Sequence, residues 1–260
     1  MSNELPGAMS QDPGPGQARA VANRYVPQTG WPAWAAAVAV FLILAVSVIS
    51  ADGARAIAAT LGLADANWLL AIALLASQVV GITLTLIAAN RFASRPVAAL
   101  ALGPPARGWW DYVWAFALML ALFGAFSAVT WMLDPEAAKR DLSVFGDLLR
   151  SDAWWLALIA IGLGAPLMEE LMFRGFLFSA FSQSRLGIAG ASVLTAAGWT
   201  ALHAGYSPVG LAEVFAVGIY FSCVLSRTGS VRVPLFCHAA YNSSVVAFLM
   251  SVDIRLATPA

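Results

Sequence analysis

Residues 154–181 read WWLALIAIGLGAPLMEELMFRGFLFSAF, an apolar run that nonetheless holds three formal charges, Glu169, Glu170 and Arg174. A helix needs about 20 apolar residues to cross a bilayer, at roughly 1.5 Å per residue. An ionised group at the centre of such a helix costs roughly 2.5 to 3.5 kcal/mol on insertion scales, so charges inside a span mark a functional site by default. Outward from this run the apolar pattern repeats, in blocks near 34–50, 68–89, 109–133, 186–203, 209–225 and 233–252. The blocks predict an all-α fold, a polytopic integral membrane helical bundle of about seven to eight transmembrane helices. The eighth would arise if the Pro166-containing block were two spans, or if residues 54–63 formed one of their own. No segment alternates polar with apolar residues over strand lengths, which excludes a membrane barrel.

Composition supports the same class. Of 260 residues, 60% are hydrophobic and 11% charged, and the mean hydropathy is +0.78, outside the balance of a soluble domain. The formal net charge is zero and the arginines are scattered between apolar blocks, so no basic patch exists to bind nucleic acid. Residues 1–30, rich in proline, glycine and glutamine, have too little apolar surface to fold and are expected to form a flexible tail. Residues 31–150 are read as N-terminal transmembrane helices and 151–252 as the core of the same membrane domain. Arg19, Arg24, Arg91, Arg95, Arg107, Arg185, Arg227 and Arg232 fall in loops that would share one face. The positive-inside bias makes that face cytoplasmic, with the N-terminus on it, in an inner or plasma membrane. Cys223 and Cys237 lie in apolar segments and are expected to be small buried hydrophobes.

Helical geometry divides the labour of the central charges. Glu170 and Arg174, at i and i+4, can pair and fix the helix, whereas Glu169 is turned about 100° away and has no local partner. A carboxylate without a partner in a low-dielectric cavity suits a general base that takes a proton from water. An architectural ion-pair cluster would explain the same three charges, and their company argues against it. The chain has just two histidines, and both lie in C-terminal spans. His203 shares a helix face with Trp199, and His238 shares one with Asn242, which could orient the imidazole or donate to a developing oxyanion. Glu213, near the start of its block, is expected at the membrane interface. Residues 141–150 have an amphipathic pattern suited to the membrane surface.

These residues resemble the CPBP intramembrane proteases, which include the type II CAAX prenyl endopeptidases and the bacterial Abi proteins. That family carries Glu-Glu-x-x-x-Arg, Phe-x-x-x-His and His-x-x-x-Asn in order. Here they read Glu169-Glu170-Leu171-Met172-Phe173-Arg174, Trp199-Thr200-Ala201-Leu202-His203 and His238-Ala239-Ala240-Tyr241-Asn242. Trp199 replaces phenylalanine, an exchange expected to affect packing more than chemistry. The resemblance implies hydrolysis of a peptide bond in a membrane-associated or lipidated peptide or protein. Glu169 would activate water, and His203, His238 and Asn242 would bind the reacting carbonyl or a metal. No zincin His-Glu-x-x-His helix is present, but Glu169, His203 and His238 make a three-ligand zinc set, so Zn2+ stays an alternative to metal-free hydrolysis. The rival reading is a non-catalytic scaffold or bacteriocin-immunity-type protein that keeps the motifs for folding. A proton-coupled transporter would want polar residues through several spans, and the first three are nearly bare of them.

Depth sets a condition on convergence. His238 follows Arg232 by six residues, while His203 lies eighteen beyond Arg185. Straight spans turning at the membrane faces would hold the two histidines more than about 10 Å apart. A broken helix, a strong tilt or a different turn position is needed, and Pro166, Gly205, Pro208 and Pro234 are candidates for the irregularity.

Overall fold

The computed structural model describes residues 25–143 and 145–251. Residues 1–24 of the expected tail, with Arg19 and Arg24, lie outside the described residues, as does the end of the last apolar block at residue 252. The described residues form helices and no strands, with long helices α1 (Ala33–Thr60), α2 (Ala66–Phe92), α4 (Trp109–Leu133), α7 (Trp154–Gln183), α9 (Pro208–Thr228) and α10 (Arg232–Ser251). Short helices complete it: α3 (Pro96–Ala99), α5 (Pro135–Ser143), α6 (Gly146–Arg150) and α8 (Gly187–Ala201). Each predicted block is a helix. Six are long and apolar enough to cross a membrane among the described residues, and the block at 186–203 forms the 15-residue α8. Residues 54–60 continue α1 and the Pro166 block is one run, so neither source of an eighth span is realised.

Burial separates two layers. About 50% of the apolar window is buried in α7 and α9, against 22% in α1 and α4, so the N-terminal helices present their side chains outward, to lipid, and the motif helices form the core. Phe173, Phe176, Phe221, Trp199 and Met172 fill that core, against Val40 and Met119 from the outer helices. Cys237 is buried as expected, whereas Cys223 is exposed on the outward face of α9. Residues 25–31, at the end of the composition-defined tail, pack against the helices. Tyr25 meets Phe178 edge-on at 5.3 Å, and Trp31 stacks on Phe176 at 4.6 Å.

Contacts between loops order the two faces. The Tyr25 amide donates to Ser226, Ala106 to Thr228 and Val231 to Ala101, which puts the loops bearing Arg95, Arg107, Arg227 and Arg232 together. On the other face Asp141 of α5 accepts from the amide and hydroxyl of Ser207, at 2.8 and 2.6 Å, so short α8 has carried the chain across.

α7 is irregular where the chemistry lies. Its turns widen to π-helix over Ala160–Gly164 and again over Glu170–Leu177. Such widenings are rare and concentrate at functional sites. The first has a readable cause. Ala165 donates to the carbonyl of Ala160, and the next bond in that register would run from residue 166 to Ile161. Residue 166 is proline and has no N–H to give. Asn242 of α10 supplies the missing donor, its Nδ2 lying 3.0 Å from the Ile161 oxygen.

Candidate active site

Glu169 and Glu170 face different ways, as helical geometry demands, and each has its own partners. Glu170 is fully buried. Its Oε1 accepts from Arg174 Nη1 at 3.0 Å and lies 3.0 Å from His238 Nδ1. A carboxylate only accepts, so Nδ1 carries the ring hydrogen and Nε2 is turned toward Glu169, 3.8 Å away. Arg174, equally buried, donates through Nη2 to the Gly218 carbonyl at 3.3 Å, and its guanidinium lies over the Trp199 ring at 4.7 Å. The expected Glu170–Arg174 pair is present. Its second task, holding His238, is invisible in sequence because the two residues are 68 positions apart.

Glu169 borders a cavity of about 620 Å³ that His203, His238, Asn242, Tyr206 and Glu213 also line. Its Oε2 accepts from the Trp199 indole N–H at 2.6 Å. Phenylalanine has no such hydrogen, so the Trp199 exchange reaches the candidate base itself, beyond the packing role expected of it. The same ring lies between the histidines, with centroids 5.1 Å from His203 and 5.4 Å from His238. His203 follows the end of α8, and its Nδ1 lies 3.0 Å from the Trp199 carbonyl, which fixes the hydrogen there and leaves Nε2 uncommitted.

The depth condition is met by the position of the turn before α10. Thr228, Ser230, Val231 and Val233 are buried, beneath residues 101–106. α10 therefore starts below the surface of the bundle, and six residues bring His238 level with Glu169.

Asn242 bonds to Ile161 and makes no bond to His238, so it joins α10 to α7 while also lining the cavity. Glu213, expected at the interface, is in the cavity wall. Tyr206 was not signalled by the sequence. Burial first, and then the nearby Glu169, Asp141 and Glu213, push its hydroxyl above the ordinary tyrosine value, so it stays a neutral donor. Among the described residues no group of three His, Cys, Asp or Glu side chains is gathered to hold a metal ion. Glu169, His203 and His238 share the cavity, each tethered to Trp199 or Glu170.

Residues 151–244 match the family model described as type II CAAX prenyl endopeptidase Rce1-like. This segment is an Rce1-like domain. The match takes in all three motifs, within the range over which they resemble the CPBP family. Comparisons with curated proteins and with solved structures give no match. The Rce1-like domain spans α7, α8, α9 and most of α10, the helices whose side chains form the buried polar cluster. Its family is one of intramembrane proteases, and its apolar helices are those of an integral membrane protein.

Proposed function

We propose that the Rce1-like domain is an endopeptidase that hydrolyses a peptide bond of a membrane-associated or lipidated substrate inside this cavity. The observation that carries the reading is the Glu169 carboxylate, held by Trp199 at 2.6 Å and facing His238 at 3.8 Å in a space large enough for an extended peptide segment. Oε1 of Glu169 has no hydrogen-bond partner among the described residues and can receive a proton from water. The resulting hydroxide adds to the substrate carbonyl, and the carbon–oxygen double bond opens to a tetrahedral oxyanion. As the carbon–nitrogen bond breaks, the proton held by Glu169 passes to the leaving amine.

The oxyanion needs donors placed before the reaction begins. His203 and His238 have Nε2 as their uncommitted nitrogen, able to hold the oxyanion when protonated. Asn242 uses one amide hydrogen on Ile161 and retains the other. Glu170, Arg174 and Trp199 position these groups. On this reading the arginine-bearing face is cytoplasmic and the N-terminus lies with it.

Purified protein incubated with a peptide library tests the proposal. Glu169→Gln is expected to lower turnover at least about a thousandfold while thermal unfolding in detergent stays within a few degrees, and His203→Ala to lower it about a hundredfold. Full turnover in both variants would remove the catalytic assignment and leave the scaffold reading.

A further inference from the structure

Glu213 sits on α9 in the wall of the same cavity. Its Oε1 accepts from Ser127 Oγ of α4 at 3.1 Å and from the Tyr241 hydroxyl of α10 at 3.3 Å, so three helices fix one carboxylate. Both donors are neutral. Among the described residues no Lys or Arg side chain lines the cavity, and Arg174, the nearest buried cation to Glu169, is committed to Glu170. Of the other two acidic residues in the wall, Glu169 is held by Trp199 and Asp141 is committed to Ser207. Of the two carboxylate oxygens in the wall with no hydrogen bond or ion pair among the described residues, Glu169 Oε1 is the one that meets water, and Glu213 Oε2 is the one left over.

The surrounding wall is mainly apolar, with Val214, Val217, Leu202 and Trp131 among its residues. A half-buried carboxylate in such a wall is stabilised when a cation meets it and is poorly solvated otherwise. The three-helix tether holds Glu213 in place for that partner, since a positioned acceptor loses little freedom on binding.

We propose that Glu213 is a specificity subsite for a positively charged group of the substrate, a Lys or Arg side chain or a free amino terminus. The proposal rests on the hydrolase reading and names its substrate class.

The experiment uses the full chain in lipid nanodiscs and quenched-fluorescent peptides, acetylated and amidated, with Lys, Gln or Glu at each position in turn. A further Gln peptide carries a free amino terminus. Wild-type protein is expected to cleave the best Lys peptide with a kcat/KM about tenfold above its Gln counterpart, the scale of one charge-assisted hydrogen bond. Glu213→Gln should abolish that ratio, because glutamine still accepts from Ser127 and Tyr241 but has no charge. Glu213→Lys should reverse the preference toward the Glu peptide. A gain from the free amino terminus in place of the Lys side chain would identify the amine source.

Binding of the same peptides to Glu169→Gln and to the Glu169→Gln, Glu213→Gln double variant gives a readout that needs no cleavage. Affinity for the Lys peptide should exceed that for the Gln peptide about tenfold in the first and match it in the second. Equal affinities in the first, or an unchanged ratio in the second, would overturn the subsite. Turnover that is absent in wild type, or untouched by Glu169→Gln, would overturn the hydrolase reading separately.

Discussion

Trp199 shows how a single side chain carries two duties, one through the face of its ring system and one through its edge. Its π face covers the Arg174 guanidinium at 4.7 Å, and its N–H points at Glu169. Trp199→Phe separates them, because the ring stays over the arginine while the donor is lost. A hydrogen bond to a charged group is worth about 1.5 to 3 kcal/mol, so kcat should fall about tenfold or more with little change in unfolding temperature. Equal losses of activity and stability would assign Trp199 to packing alone. Arg174 gives the complementary case. Arg174→Leu leaves Glu170 buried without its cation and should destabilise the protein by about 3 to 5 kcal/mol, read from thermal or denaturant unfolding. Replacing Glu170 by Leu as well should recover part of that loss, since an apolar pair can fill a buried site as well as an ion pair does. Activity should not return with it, because His238 Nδ1 has lost its acceptor. Recovery of both would show that Glu170 is not needed to orient the histidine.

At the scale of elements, α7 is distinguished by its interruption. Its α-helical hydrogen bonds are broken where Pro166 lacks an N–H, and the orphaned Ile161 carbonyl draws Asn242 of α10 into the bundle. Gln78 of α2 reaches the neighbouring carbonyl of Ala160 at 3.0 Å, so two helices pack onto one widened turn. Gly164 permits that approach, since a Cβ there would collide with the Gln78 amide. Asn242→Ala should therefore lower stability by about 1 to 3 kcal/mol, the cost of an unsatisfied buried acceptor. Pro166→Ala restores a backbone donor five residues on from the orphaned Ile161 carbonyl. The Asn242→Ala loss measured in that background should be smaller by about 1 kcal/mol in a double-mutant cycle. Additive effects would mean that Asn242 does not compensate the proline. The seven apolar blocks, the Glu170–Arg174 pair and the motif residues were legible in the sequence because they depend on composition or on i, i+4 spacing. The Trp199–Glu169, His238–Glu170 and Asn242–Ile161 bonds join residues 30, 68 and 81 positions apart, and no local pattern encodes them. Which of the three routes brings His238 to depth was not legible for a related reason: the turn at residues 228–231 is polar enough to suggest the surface, yet it is covered by residues 101–106.

For the molecule as a whole, the outer helices α1 and α2 shield the motif helices from lipid, and a separate device closes the cavity on the face away from the arginine-bearing loops. Ala138 and Asp141 of α5 and Leu149 of α6 contribute to its wall there. Asp141 fastens this amphipathic segment, one oxygen taking the Ser207 amide hydrogen and the other the Ser207 hydroxyl. Ser207 in turn caps α9, its hydroxyl oxygen accepting from the Gly210 amide at 3.1 Å. Strap and helix start are thus one hydrogen-bonded unit, and loss of its carboxylate should free both ends. Asp141→Ala is expected to speed amide hydrogen exchange over residues 135–150 and 203–210, with α1 and α2 unchanged, since local opening follows the weakest contacts. Gly210 supplies an independent route to the same state. A Cβ at that position would strike the Asp141 carboxylate, so Gly210→Ala should displace the strap without altering any charge. Matching exchange patterns in the two variants would locate the effect in the Asp141–Ser207 contact. Faster exchange in Asp141→Ala alone would show instead that the acidic charge matters apart from its hydrogen bonds.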